Sequence, residues 1–109
     1  MSVTTLRSEP IRGHGGSTTH RFLEVITVLT VDGAARPLPR PITLIQDNGT
    51  WILDDPMALT YAAEATYDET LADYIESLIW LRDELVDATH PANRRQHAAV
   101  IEMLTALGR

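Results

Sequence analysis

Apolar positions follow two different periods along the chain, and the change between them separates predicted strands from predicted helices. From His20 to Val31 the residues are mostly β-branched or aromatic, and apolar side chains fall on both faces. This run predicts a strand that is covered on both sides. The turn signal Asp32-Gly33 ends it. Prolines at alternate positions from Arg36 to Pro41 remove backbone donors, so they predict a stiff, extended connection.

A β-hairpin is predicted where Asn48-Gly49 separates the apolar runs Ile42 to Gln46 and Thr50 to Asp54. Both central residues of a type I′ turn need positive φ, which makes Asn-Gly the strongest local signal for this turn. The turn fixes the register, which pairs Gln46 with Trp51, Ile45 with Ile52 and Leu44 with Leu53. Met57 to Ala63 predicts a third strand of the same meander, with Leu59 and Tyr61 on one face.

Helical periodicity takes over at Thr66 and continues to about Thr89. Thr66 and Glu69 have the spacing of a capping box, in which the threonine hydroxyl accepts from the backbone N–H of Glu69. His90-Pro91 ends the helix, because the residue before a proline is pushed out of the α region. Pro91 can open a second helix from Ala92 to Leu107, which Gly108 closes.

The predicted class is therefore α+β. A small antiparallel meander of three to four strands is covered by one long helix, and a second helix follows at the C-terminus. Residues 20–109 form a single domain, since 109 residues suffice for one core. Residues 1–19 are rich in Ser, Thr, Gly and Arg, and we interpret them as a flexible N-terminal arm that orders on contact.

The long helix has two contrasting faces when successive residues are placed about 100° apart. One broad arc is apolar and predicts the surface that covers the sheet; it holds Leu71, Tyr74, Ile75, Leu78, Ile79, Leu81, Leu85 and Val86, with Arg82 among them. The opposite arc is acidic and holds Asp73, Glu76, Asp83, Glu84 and Asp87, together with Ser77, and Trp80 lies near its centre. Two interpretations of Trp80 stay open. It packs under the second helix or the arm, or it anchors a partner, as interface tryptophans do.

The net charge of the chain indicates which class of partner it could bind. The net charge is −6, and an acidic chain lacks the Lys and Arg excess that neutralises phosphates, so it is not expected to bind nucleic acid by itself. A basic protein suits it better. There are no cysteines, which excludes disulfides and thiolate chemistry. We find no signal peptide and no apolar run long enough for a membrane span, so a cytoplasmic location is expected.

No catalytic or metal-ligating constellation emerges from the sequence. The histidines His14, His20, His90 and His97 lack a shared ligand spacing. Asp54 and Asp55, with Glu64 and Asp68, could form a carboxylate cluster, but no partner base or phosphate-binding loop accompanies them. We therefore predict a protein that is not an enzyme and that needs no metal and no cofactor.

The order of hairpin, aromatic-bearing strand and threonine-capped helix resembles the HicB-like antitoxin family of small, partial ribonuclease-H-like domains. The stretches that carry the resemblance are Ile42 to Pro56, Leu59 to Ala65 and Thr66 to Asp73. It implies a sheet-plus-helix binding module without ribonuclease catalytic acids. It also implies a cognate toxin as partner in a bacterial toxin–antitoxin system.

Three functions follow as hypotheses. The first is a non-enzymatic interaction module of antitoxin or immunity type, which binds a basic protein through Trp80 and the surrounding carboxylates. The alternative is a structural or assembly subunit that forms a homo-oligomer through its sheet or its C-terminal helix. The third is a small-molecule-binding or enzymatic domain that uses Asp54, Asp55 and Glu64.

Overall fold

A computed structural model describes residues 3–12 and 20–109, with side chains from Arg21 onward. In chain order the elements are β1 (Val3–Arg12), β2 (His20–Val31), β3 (Ala34–Asp47), β4 (Thr50–Asp55), a 3-10 turn (Pro56–Ala58), β5 (Thr60–Glu64), α1 (Tyr67–Glu84) and α2 (Pro91–Ala106). Each strand pairs antiparallel with the next, so the order across the sheet is the order along the chain. The α+β class, the meander and the two helices are confirmed.

The first strand lies in the segment that the sequence analysis assigned to a flexible arm. Residues 3–12 pair with β2 along their length. Residues 1–2 and 13–19 of that segment lie outside the described residues, so the flexibility of the arm stays a prediction.

The Asn48-Gly49 hairpin has the predicted register. Gln46 pairs with Trp51 across it, and both turn residues have positive φ, 49° for Asn48 and 83° for Gly49. Asn tolerates this region and Gly adopts it without steric cost, which is why this dipeptide specifies the tight turn.

The proline-rich segment is extended, but it belongs to β3 and is not a separate connection. Ile26 of β2 pairs with Ile42 and Val28 pairs with Pro37, so Thr27 alone faces the four residues 38–41. This bulge accommodates prolines that have no N–H for the ladder. Because the bulged residues leave the regular pairing, Arg40 is free to turn toward the helices.

Both helices lie on one face of the sheet. α1 packs on β4 and β5, and α2 packs on β3 and the 3-10 turn. The core between the layers consists of aliphatic side chains with Tyr74, and its largest fully buried members are Ile26, Leu29, Ile42, Leu53, Leu71, Leu78, Met103 and Leu104. Each contributes about 1.5–3 kcal/mol. On the other face of β2, Leu23 and Val25 are only half-buried, so the predicted two-sided covering of this strand is not realised.

The third predicted strand begins later than expected. Pro56 opens a 3-10 turn, Leu59 has a left-handed backbone with φ of 51°, and the strand starts at Thr60. The side chain of Thr60 donates to the carbonyl of Ala58 at 3.0 Å, which stabilises the turn. Leu59 and Tyr61 are both exposed, at 73 % and 69 %.

The long helix begins as predicted and ends early. The Thr66 hydroxyl accepts from the Glu69 backbone N–H at 3.2 Å and donates to the Glu69 carboxylate at 2.8 Å. The last helical residue is Glu84, because the chain turns before it reaches His90 and Pro91. Val86 lies in that turn and is 63 % exposed, so its assignment to the sheet-covering arc is wrong.

Candidate functional site

Trp80 lies on the side of α1 that points away from the sheet. Leu71, Ile75 and Leu78 are buried against the sheet, and at about 100° per residue Trp80 falls opposite them. Its side chain is 61 % exposed. The interpretation in which Trp80 packs under the second helix is therefore wrong, and packing under the arm, whose side chains lie outside the described part of the structure, stays untested.

Carboxylates surround this tryptophan on the helix surface. Glu76, Asp83 and Glu84 are four residues before, three after and four after it, which are the neighbouring positions on an α-helix. All three are exposed. We use "Trp80 face" for this surface, whose residues are Trp80, Asp73, Glu76, Asp83, Glu84 and Asp87.

The remaining two predicted residues mark the margins of the Trp80 face. Asp73 is half-buried on α1, and Asp87 is exposed in the turn after Glu84. Arg82 is adjacent, and its Nε lies 3.6 Å from Oδ1 of Asp83, which is itself 75 % exposed in its side chain. An exposed pair of this length is weak, so the surface keeps a strongly negative character.

The chemistry of the Trp80 face suits binding. An indole offers a large, rigid contact surface and a π face that attracts cations. Carboxylates around it favour a Lys- or Arg-rich partner and disfavour an acidic one.

The structure also contains a buried polar cluster that the sequence analysis did not find. Arg40, from the bulge in β3, donates through Nε and Nη2 to both oxygens of Asp55 at 3.0 and 2.7 Å. The Tyr74 hydroxyl donates to Asp55 Oδ2 at 2.6 Å. Arg40 Nη1 reaches the carbonyl of Ala99 at 3.2 Å and Glu102 at 3.4 Å. One guanidinium thus joins β3, β4 and α2, while Tyr74 ties α1 to the same carboxylate.

This environment shifts two pKa values. Burial lowers the pKa of Arg40, but its hydrogen bonds and charge pairing with Asp55 outweigh burial, and the pKa is raised. Burial, reinforced by the charge of Asp55, raises the pKa of Tyr74 well above its usual range. A separate phenol, Tyr67, has its pKa raised to about 12 by burial and by the nearby carboxylate of Asp68. Asp55 at the centre of the cluster is fully buried, whereas Glu102 at its margin is exposed.

The three acids proposed for a catalytic cluster do not come together. Asp55 faces the helices, and Asp54, its neighbour in the strand, points to the opposite face of the sheet. Glu64 pairs with Trp51 at the other end of β4. The sequence could have linked Arg40 and Tyr74 to Asp55 only if the bulge in β3 had been predicted. The rules of strand pairing alone do not predict that bulge.

Among the residues with described side chains, no three His, Asp or Glu are grouped so that they could hold a metal ion. Over the same part of the chain, neither α-helix combines the length and apolar character that crossing a membrane requires. No protein-family model, curated protein or solved structure matches this chain. The resemblance to HicB-like antitoxins therefore stays a prediction.

Proposed function

We propose that this protein is a non-enzymatic interaction module that binds a basic protein partner through the Trp80 face. The observation that carries the proposal is the 61 % exposure of Trp80 at the centre of a helix surface formed by carboxylates. A large apolar side chain gains nothing from water, whereas a partner that covers it recovers about 25 cal/mol for each Å² removed from solvent.

The tryptophan and the carboxylates of the Trp80 face should contribute to binding in different ways. Tryptophan is among the residues most often found as binding hot spots, where truncation costs about 2 kcal/mol or more. The carboxylates at the rim steer a cationic partner and raise its association rate. A Lys or Arg that reaches the indole adds cation–π attraction.

A neutralising or regulatory role of the antitoxin or immunity type belongs to the same proposal. Such a protein acts by covering a surface of its partner, so it needs an exposed binding face and no catalytic residues. The exposed Trp80 face and the scattered positions of Asp54, Asp55 and Glu64 support this role, in which a basic toxin is the partner.

The test is affinity capture from the native host with the full chain as bait. The wild type is compared with Trp80→Ala and Asp83→Lys. Ile101→Ala serves as the matched control, because it removes an exposed apolar side chain that belongs to α2 and not to the Trp80 face. We expect wild type and Ile101→Ala to retain one basic protein, whose recovery falls with increasing salt.

Both Trp80-face variants should lose that protein. Equal recovery of the same partner by the wild type and both variants would show that binding does not use this surface. Thermal melts of all four proteins exclude loss through unfolding, because exposed substitutions change stability by only about 0.5 kcal/mol.

A further inference from the structure

The outer edge of β5 lacks the features that usually protect a sheet edge. In the described part of the chain β5 pairs with β4 and with no other strand. Its sequence Thr60–Glu64 contains neither proline nor a basic residue, and its pairing with β4 has an unbroken register. Natural sheets protect such edges with prolines, charges or bulges, because unpaired backbone groups recruit another strand.

The strand is complementary to itself when it is paired antiparallel about Ala62. Tyr61 of one copy then lies opposite Ala63 of the other, so a large side chain meets a small one. Glu64, the only charged residue of β5, lies opposite Thr60, so like charges do not meet. Just before the strand, the exposed Leu59 falls opposite Ala65, which is also exposed.

The side of α1 above this edge is partly uncovered and carries both apolar and acidic residues. Tyr67, Thr70 and Tyr74 all contact β4, through the Trp51 ring, the Trp51 carbonyl and the Asp55 carboxylate. The opposite side of the helix therefore lies toward the free edge of β5. Ala72 and Ile79 lie there, next to the carboxylates of Glu76 and Asp83.

The two apolar residues are exposed to different degrees. Ala72 is exposed, whereas Ile79 is half-buried and packs against the core. The second copy of a β5 pair would place its own β5 and α1 beside Ala72. Tyr67 and Tyr74 contact opposite ends of β4, so Ala72, between them in sequence, lies near the level of Ala62.

We propose that two copies of this chain associate through their β5 edges, antiparallel about a two-fold axis at Ala62, and form one continuous sheet. The helices lie on the same face of that sheet, and the two α1 helices lie side by side near Ala72. A two-fold interface uses the same surface on both copies, so that surface must be complementary to itself. The sequence of β5 has this self-complementarity. The association does not use the indole of Trp80, which points away from the sheet.

The test measures the mass of the full chain in solution by sedimentation velocity over a range of concentrations. The wild type should have twice the 12.1 kDa mass of one chain. Tyr61→Lys/Ala63→Lys places two pairs of like charges opposite each other, and should raise the dissociation constant by roughly a hundredfold or more. Tyr61→Lys/Ala63→Glu is the matched control, because the same two positions then carry opposite charges across the axis and should keep the dimer.

Mixing provides a second readout that a folding defect cannot imitate. An equimolar mixture of Tyr61→Lys/Ala63→Lys with Tyr61→Glu/Ala63→Glu should restore the dimer as a mixed species, while each alone stays monomeric. A single-chain mass for the wild type at all concentrations overturns the proposal. So does a Tyr61→Lys/Ala63→Lys variant that dimerises as tightly as the wild type. Trp80→Ala should leave the mass unchanged, so failure of the partner proposal and failure of this one are distinguishable.

Discussion

The phenol of Tyr74 on α1 and the guanidinium of Arg40 in the β3 bulge meet on the same oxygen of Asp55, at 2.6 and 2.7 Å. The helix and the bulge are thus held together by one buried carboxylate on β4. Because this carboxylate is fully buried, losing either donor should lower the free energy of unfolding. The contribution of each donor can be measured by substituting it alone.

Tyr74→Phe keeps the ring in the core and removes one donor. A hydrogen bond to a charged group contributes about 2 kcal/mol, so we expect the free energy of unfolding to fall by roughly that amount. Urea denaturation measures it. Tyr61→Phe is the control, since its hydroxyl belongs to an exposed side chain and its loss should cost less than about 0.5 kcal/mol. Equal stability of Tyr74→Phe and the wild type would contradict a role for the bond.

Arg40→Met should be more damaging, because it leaves the Asp55 charge buried without its counter-ion. Breaking a buried pair from one side costs about 3–5 kcal/mol. Arg40→Met/Asp55→Asn removes both charges and keeps an acceptor for Tyr74, so it should recover a large part of that loss. The measurement is a double-mutant cycle in urea. Additive effects of the two substitutions would show that the residues are not energetically coupled.

Stability should fall in alkaline solution. The pKa of Tyr67 is raised to about 12 in the folded chain, against about 10 in an unfolded one. Between these values the unfolded state has lost a proton that the folded state keeps, so the free energy of unfolding decreases as pH rises. The stabilisation that Tyr67 contributes is fully present below pH of about 10 and is lost as the pH rises to about 12. Tyr67→Phe should make the decline between pH of about 10 and 12 less steep in urea titrations, and Tyr74, whose pKa is also raised, should account for part of the decline that remains. An unchanged slope would exclude Tyr67 as a source.

Thr66→Ala should destabilise α1 by about 1 kcal/mol, because the N–H of Glu69 loses its acceptor. Thr66→Ser keeps the hydroxyl and should retain most of the stability. Thermal unfolding followed by circular dichroism compares the three proteins. If the alanine and serine variants melt together, below the wild type, the methyl group and not the cap accounts for the loss.

The fluorescence of Trp80 should report its acidic surroundings. Trp51→Phe leaves Trp80 as the sole tryptophan, since the chain has two. Caesium should quench its emission more effectively than iodide, because the carboxylates attract the cation and repel the anion. The difference should shrink with added sodium chloride. Equal quenching by both ions at low salt would mean that the local potential is not negative.

Local chemistry made much of the fold predictable from the sequence. Asn48-Gly49 permits positive φ at two successive residues, and Thr66 with Glu69 satisfies helix donors, so the turn and the helix start were correctly placed. The helical period was enough to place Trp80 and the carboxylates on one face of α1. It could not predict whether the indole was exposed, because that depends on where α2 packs. The bulge at residues 38–41 could not be predicted, because the number of residues that face Thr27 is decided by the whole sheet. The link between Arg40 and Asp55 was missed with it.

The order of the strands has a consequence for how the chain folds. Every described strand pairs with its nearest neighbour in sequence, so forming the sheet closes short loops at little entropic cost. The contacts of Arg40 with Ala99 and Glu102 span 59 and 62 residues. We expect α2 to dock late, after β3 and β4 have brought Arg40 and Asp55 together. In pulse-labelling hydrogen exchange, the amides of the β3–β4 hairpin should then become protected before those of α2. The hydrogen bonds from the Arg40 guanidinium to Ala99 and Glu102 would be among the last contacts to form.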